Sequence, residues 1–202
     1  MLTVHHLNQS RSKRVLWLLE ELSMPYTRID HQRDKATHLA PESLKKIHSL
    51  GKAPVMVDGD VTLCESSAVM EYIIDQDELQ RLRPAKGSDA YYQYLEWSHF
   101  AEGSLGLPVI TNLFMKMETR EGLQPMDGYI AKEIAVDFAY IEEILSKRAY
   151  FAGDDFTAAD IMMTVILEIA GNGGLLEGKE NTLTYLAKIQ QRPAYQKAVS
   201  FG

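Results

Sequence analysis

The chain has 202 residues, and 21 basic against 28 acidic side chains give it a formal net charge of −7. Recognition of a phosphate backbone needs clustered Lys and Arg that release counterions, and the only local basic run, Arg11-Ser12-Lys13-Arg14, is short, so a nucleic-acid partner is excluded. With 46% apolar and 24% charged residues the chain has the make-up of a folded globule; its one cysteine rules out a disulfide framework, and no run of about 18 apolar residues offers a membrane span.

Leu2 and Val4 alternate with Thr3 and His5 as a first strand, and Val15, Leu18, Leu19 and Leu22 then mark one face of a helix that Pro25 stops. Residues 26–30 read as a second strand, parallel to the first because a helical crossover joins them. A short helix over 42–47 follows. Residues 54–57 and 61–64 flank Asp58-Gly59-Asp60 as a hairpin, and 66–75 carries Val69, Tyr72 and Ile73 on one helix face. The order βαβαββα suits a mixed four-stranded sheet with helices on both faces.

Beyond Ser88 the apolar residues recur with a helical period, and Pro84, Gly87 and several charges interrupt both patterns just before it. Two domains are expected: 1–78 of α/β type, a linker over 79–88, and an all-helical domain over 89–202. The first pattern of that second domain, 89–119, is rich in aromatics and is kinked or divided by Pro108. A second helix spans 126–147. Phe156-Thr157-Ala158-Ala159-Asp160-Ile161 reads as a helix start, with Thr157 as N-cap, Asp160 reciprocating and Phe156 stapled on Ile161. The run 161–170 has few polar positions and is read as the buried centre of a bundle. A last helix over 181–191 halts before Pro193.

Most catalytic signatures are absent. There is no Cys-x-x-Cys, His-Glu-x-x-His, phosphate-binding loop, dinucleotide fingerprint or nucleophile elbow. Cys64 lies inside a hairpin strand without a partner cysteine and reads as a small buried hydrophobe. The six histidines lack metal spacing, and His5 and His6 point to opposite faces of a strand, so no metal is expected. Three features remain. Asn8-Gln9-Ser10-Arg11-Ser12 leads from strand one into a helix whose N-terminal amides suit an anion, with Ser10 or Ser12 either a hydroxyl donor or a plain N-cap. Pro54, after Gly51-Lys52-Ala53, opens a strand and on spacing alone is an ordinary edge proline. Glu65-Ser66 opens a helix, where acid and hydroxyl either cap it or hold an ammonium and a carboxylate together.

In this combination and order, the three features resemble the soluble glutathione transferase family, serine-type, most like fungal and bacterial members through Ser10-Arg11-Ser12-Lys13-Arg14-Val15-Leu16-Trp17-Leu18-Leu19-Glu20-Glu21-Leu22. The resemblance covers nearly the whole chain, and Phe156-Thr157-Ala158-Ala159-Asp160 matches the capping box of the family's sixth helix. It implies a thioredoxin-like N-terminal domain and an all-α C-terminal bundle, with glutathione as co-substrate. Ser10, or failing it Ser12, would donate to the thiolate. Ala53 would pair with the cysteinyl part beside a cis-Pro54, and Glu65 and Ser66 would hold the γ-glutamyl group. Lys52, with His38 assisting, would meet the glycyl carboxylate. Trp97, Phe100, Ser104 and Leu107 would line the electrophile's pocket. The implied activity is conjugation of glutathione to small hydrophobic electrophiles, or reduction of a peroxide, in a cytoplasmic homodimer. Alternatives are a non-catalytic binding or regulatory protein and a glutathione-dependent isomerase or dehalogenase. Asn8-Gln9-Ser10-Arg11-Ser12 departs from the Ser-Ser-Cys segment of the isomerase branch, which lowers that alternative.

Overall fold

The computed structural model describes residues 1–202, which form two compact units. The first comprises Met1–Leu82 and Gln190–Gly202, the second Arg83–Ile189. The division falls inside the expected linker. The C-terminal thirteen residues, however, belong to the first unit and not to the helical one.

In the first unit, β1 (Thr3–Leu7), α1 (Ser12–Leu22), β2 (Thr27–His31), α2 (Glu42–Lys45), β3 (Val55–Asp58), β4 (Val61–Cys64) and α3 (Ser66–Gln76) follow in the expected order. The strands form one mixed sheet in the order β2-β1-β3-β4, with β1 and β2 parallel and the other pairs antiparallel. α1 is buried almost all round, because Arg14, Leu16 and Trp17 are covered as well as the Val15–Leu22 stripe.

What covers it is α9 (Pro193–Val199), a helix the sequence reading lacks. Pro193 starts this helix at its first turn, where a missing N–H costs nothing, instead of only ending the one before. Arg192 donates from Nε and Nη2 to the two oxygens of Glu21 at 2.6 and 2.7 Å, Lys197 pairs with Glu20 at 2.7 Å, and the Tyr195 ring meets Trp17 edge-on.

In the second unit, α4 (Asp89–Phe100) passes through a single π-helical stretch, Ala101–Leu105, into α5 (Gly106–Met115). The irregularity thus precedes Pro108 instead of falling on it. Proline's missing N–H leaves the carbonyl four residues earlier, that of Ser104, without its helical partner, and a wider turn absorbs this. Gly106 fits the same turn, since a Cβ there would stand 2.8 Å from the Ala101 carbonyl oxygen.

α6 (Pro125–Leu145), α7 (Ala158–Asn172) and α8 (Glu180–Ile189) complete the bundle. α7 is buried continuously from Ala158 to Leu167 and packs on α4, α5 and α8, which makes it the centre the apolar run implies. Its capping box is present: Asp160 Oδ2 accepts from the Thr157 N–H at 2.8 Å and from the Thr157 hydroxyl at 3.1 Å.

Candidate active site

The sheet register gathers the three sequence features at one edge of the first unit. Val55, the first residue of β3, lies opposite His5 near the end of β1 and opposite Cys64 at the end of β4. Leu7 at the end of β1 lies beside His31 at the end of β2. The Asn8–Arg11 turn, Ala53-Pro54, Glu65-Ser66 and the loop from Gln32 to His38 therefore all emerge from the same end of the sheet.

Ser10 is half-buried, whereas Ser12 is fully enclosed. Ser10 Oγ accepts the Ser12 N–H at 3.2 Å and lies 2.7 Å from Ser12 Oγ. Ser12 Oγ accepts the Leu7 N–H at 3.2 Å and lies 2.8 Å from His6 Nδ1. The expectation that Ser12 is the alternative donor is corrected on this ground: with no exposed surface it has nothing to offer a ligand, and it stands behind Ser10. The N-terminal amides of α1 are corrected likewise. Those of Ser12, Lys13 and Arg14 are spent on Ser10 Oγ, the Ser10 carbonyl and the Arg11 carbonyl, so the Ser10 hydroxyl is the polar group the turn can present.

Arg33 fixes this turn, and sequence reasoning overlooked it. Its guanidinium donates to the carbonyls of Asn8 at 3.2 Å, Gln9 at 3.3 Å and His38 at 3.0 Å, while its own N–H donates to Asn8 Oδ1 at 2.8 Å. One side chain thus ties the Ser10 turn to the loop carrying His38. Three carbonyls separated by up to thirty residues carry no sequence pattern that would have revealed it.

The Ala53-Pro54 bond is cis, with Pro54 buried and Ala53 half-buried. Lys52 and His38 are exposed, His38 with a positive φ of 58° in a loop turned by Asp34, whose Oδ1 accepts the Thr37 N–H at 2.8 Å. Glu65 has φ 81° and ψ 122°, a conformation that costs a residue other than glycine of order 1–3 kcal/mol. Its side chain makes no capping hydrogen bond to α3. The strained backbone instead presents an exposed carboxylate next to Ser66, which is buried and accepts from the enclosed Arg14 at 3.5 Å.

Cys64 is half-buried rather than buried, and burial pushes its thiol up, away from nucleophilic duty. His5 and His6 do face opposite ways: His5 Nδ1 meets His31 Nε2 at 3.0 Å, His31 Nδ1 meets Ser43 Oγ at 2.9 Å, and no cluster of three or more metal-ligating side chains exists. An open hollow bounded by Glu20, Tyr26, Arg28, Lys197 and Phe201 lies at the opposite end of α1 from Ser10. Tyr26 and Lys197 both pair with Glu20, and Arg28 pairs with Asp30.

Of the residues expected to line the electrophile's pocket, Ser104 and Leu107 are exposed and Phe100 is half-buried. Trp97 is corrected to core, being fully buried with its ring stacked on Tyr140 at 4.9 Å and tilted against Phe151 at 4.6 Å.

Family models agree with both halves of the chain. Residues 1–75 match the glutathione S-transferase N-terminal domain and residues 105–197 the glutathione S-transferase C-terminal domain. Glutathione S-transferase 3 of Schizosaccharomyces pombe is 32% identical, aligned over 96% of this chain and 85% of its own length. The crystal structure of a glutathione S-transferase from Actinobacillus pleuropneumoniae, also 32% identical, superposes with a TM-score of 0.89 over 98% of this chain and 91% of that one. A sphingomonad glutathione S-transferase solved in complex with glutathione is 25% identical, with a TM-score of 0.80 over 98% and 97%. The chain belongs to the glutathione S-transferase family.

Proposed function

We propose that this protein conjugates the thiolate of glutathione to small hydrophobic electrophiles, with Ser10 as the donor that holds the sulfur ionised. The observation that carries this reading is the convergence, at one sheet edge, of the Ser10 hydroxyl, the strand start at Ala53-Pro54 and the Glu65-Ser66 helix start. An extended peptide can add to the Ala53 backbone as an extra strand. The Glu65 carboxylate suits its γ-glutamyl ammonium and Ser66 the carboxylate, while the exposed Lys52 and His38 suit its glycyl end. Phe100, Ser104 and Leu107 are the side chains assigned to the electrophile, and reduction of a hydroperoxide is a second use of the same thiolate.

The energetics are sufficient. A free thiol ionises near pH ~8.5, so holding it as thiolate at neutral pH takes a shift of about two units, or about 2.7 kcal/mol. A hydrogen bond to a charged sulfur supplies ~1.5–3 kcal/mol, which covers it.

Titration of the bound thiolate's ultraviolet absorbance tests the assignment. Ser10→Ala is expected to raise the pKa of bound glutathione by about one to two units, in proportion to the lost hydrogen bond, and to slow conjugation of an aryl halide accordingly. If the variant titrates like the wild type, Ser10 is not the donor. Absence of any calorimetric affinity for glutathione would instead favour the binding-protein alternative.

The same reading assigns a two-fold homodimer in the cytoplasm. Sedimentation at micromolar concentration is expected to give twice the chain mass of 22.8 kDa, and a monomer would count against it.

A further inference from the structure

Behind Ser10 runs an unbroken line of polar atoms. Ser10 Oγ is 2.7 Å from Ser12 Oγ, Ser12 Oγ is 2.8 Å from His6 Nδ1, and His6 Nε2 is 3.0 Å from the backbone oxygen of Gly202. His6 and Ser12 are both buried, at 1% and 0% exposure. A backbone oxygen only accepts, so Nε2 carries a hydrogen and donates it to Gly202. In a neutral His6 ring, Nδ1 is then a lone pair that accepts the Ser12 hydroxyl hydrogen. Two acceptors lie in reach of the Ser12 hydroxyl, His6 Nδ1 at 2.8 Å and the Leu7 carbonyl at 3.3 Å; the nearer takes the hydrogen, and Ser12 Oγ accepts from the Leu7 N–H and from the Ser10 hydroxyl. In this resting arrangement the Ser10 hydrogen points inward, and a lone pair of Ser10 faces outward.

That direction is wrong for a thiolate and right for a thiol. We propose that His6 is the acceptor of the proton that bound glutathione loses, reached through Ser10 and Ser12. The sulfur gives its proton to Ser10 Oγ, the Ser10 hydroxyl proton passes to Ser12 Oγ, and the Ser12 hydroxyl proton passes to His6 Nδ1. One S–H bond breaks, one N–H bond forms, and each serine ends with one hydrogen as it began. Afterwards His6 donates to Ser12, Ser12 to Ser10 and Ser10 outward to the sulfur anion. Every donor has an acceptor in both arrangements. Release of the thioether product, which has no use for that outward donor, lets the imidazolium return its proton to solvent by the same route.

The groups around His6 allow this. Asp30 of β2 and the backbone at Phe201 and Gly202 favour the charged ring, whereas burial and Arg28 of β2 oppose it, and Ser12 of α1 serves either form. Burial dominates and holds the free ring's pKa below its ordinary value, so the ring is neutral before the peptide binds, and the charge it takes up must be offset by the sulfur anion formed with it. His6 touches no substrate and is a positioning residue that acts through the two serines.

This inference rests on the reading of Ser10 as thiolate donor, and a proton inventory separates the two. In the wild-type protein at neutral pH, calorimetry in buffers of different ionisation enthalpy is expected to show almost no proton released while the bound thiol absorbs as thiolate. His6→Asn keeps an acceptor beside Ser12 but cannot hold the proton, so it is expected either to release about one proton per thiolate formed or to bind the un-ionised thiol. Nitrogen-15 histidine spectra of the wild type read the same event without a variant. His6 is expected as the neutral Nε2–H form when free and as imidazolium in the complex. A His6 ring that stays neutral beside a bound thiolate overturns the inference, as does release of a full proton by the wild type, even where Ser10→Ala still raises the thiol pKa. If Ser10→Ala has no effect on the bound thiol, the reading of Ser10 falls first and the relay with it.

Discussion

Replacing Asp160 with alanine is expected to remove about 3–5 kcal/mol from the stability of the helical unit. Asp160 is fully buried, and its two oxygens accept four hydrogen bonds. Oδ1 takes the Phe151 N–H at 3.1 Å and the Tyr185 hydroxyl at 2.9 Å, and Oδ2 takes the Thr157 N–H and hydroxyl. The two hydroxyls can turn elsewhere when the carboxylate is lost, and Tyr185 already lies 3.4 Å from Thr164. The two N–H groups cannot, and each stranded buried donor costs ~1–3 kcal/mol, whereas Thr157 stays in place as the N-cap. Burial raises the Asp160 pKa against these hydrogen bonds, so removal of the charge returns part of that cost. Asp160→Asn is expected to lose about half as much, because its amide must point its hydrogens at one of the two donor pairs.

The tryptophans make the effect local to read. Trp17 lies in the first unit, and Trp97 in the second, its ring 4.6 Å from that of Phe151. Denaturant unfolding followed through Trp97 in a Trp17→Phe background is expected to show the loss. A shift below about 1 kcal/mol would mean that the capping box is ornamental.

That box was legible because everything it needs is written within four residues. So were the sheet and its first helix, where alternation, a stopping proline and an Asp-Gly turn sit in a short window and the crossover rule supplies the strand order. What was not legible depends on partners distant in sequence. Pro193 satisfies the rule for ending one helix and for beginning another, and only the Arg192–Glu21 and Tyr195–Trp17 contacts decide that it begins one and returns it to the first unit. Trp97 belongs to an aromatic stripe that reads equally as pocket or core, and Tyr140 and Phe151, more than forty residues on, settle it as core. At the site, Ser10, Ala53-Pro54 and Glu65-Ser66 stood out because each marks a change of backbone direction. Arg33 and His6 did not. Arg33 acts on carbonyls, which every residue has, and His6 acts through a serine on the next turn of chain.

Asp137 was invisible for the same reason and sets the other large effect. It sits on the stripe of α6 that also buries Ile130, Phe138 and Ile141, only 8% exposed, and burial, aided by the charge of Glu133, pushes its carboxyl up from 3.8 to about 6. The folded chain therefore holds this proton more tightly than the unfolded chain does. Its contribution is intact below pH 3.8 and is lost progressively as pH rises towards about 6. Above that the fold carries a buried, uncompensated carboxylate, at a cost of about 2–3 kcal/mol for a shift of about two units. Asp137→Asn is expected to be more stable than the wild type by that amount well above pH 6 and equal to it near pH 3.8. Glu133→Gln, which relieves the lesser cause, is expected to recover only a fraction. The first unit runs the other way. His5, His6 and His31 are all held below their ordinary 6.5 chiefly by burial, so that unit loses stability as pH falls below 6.5. Unfolding read through Trp97 and through Trp17 is thus expected to show opposite pH slopes on the acid side, and Asp137→Asn is expected to flatten the Trp97 slope alone. A variant no more stable than the wild type in mild alkali would show that Asp137 meets a compensating charge or water in solution.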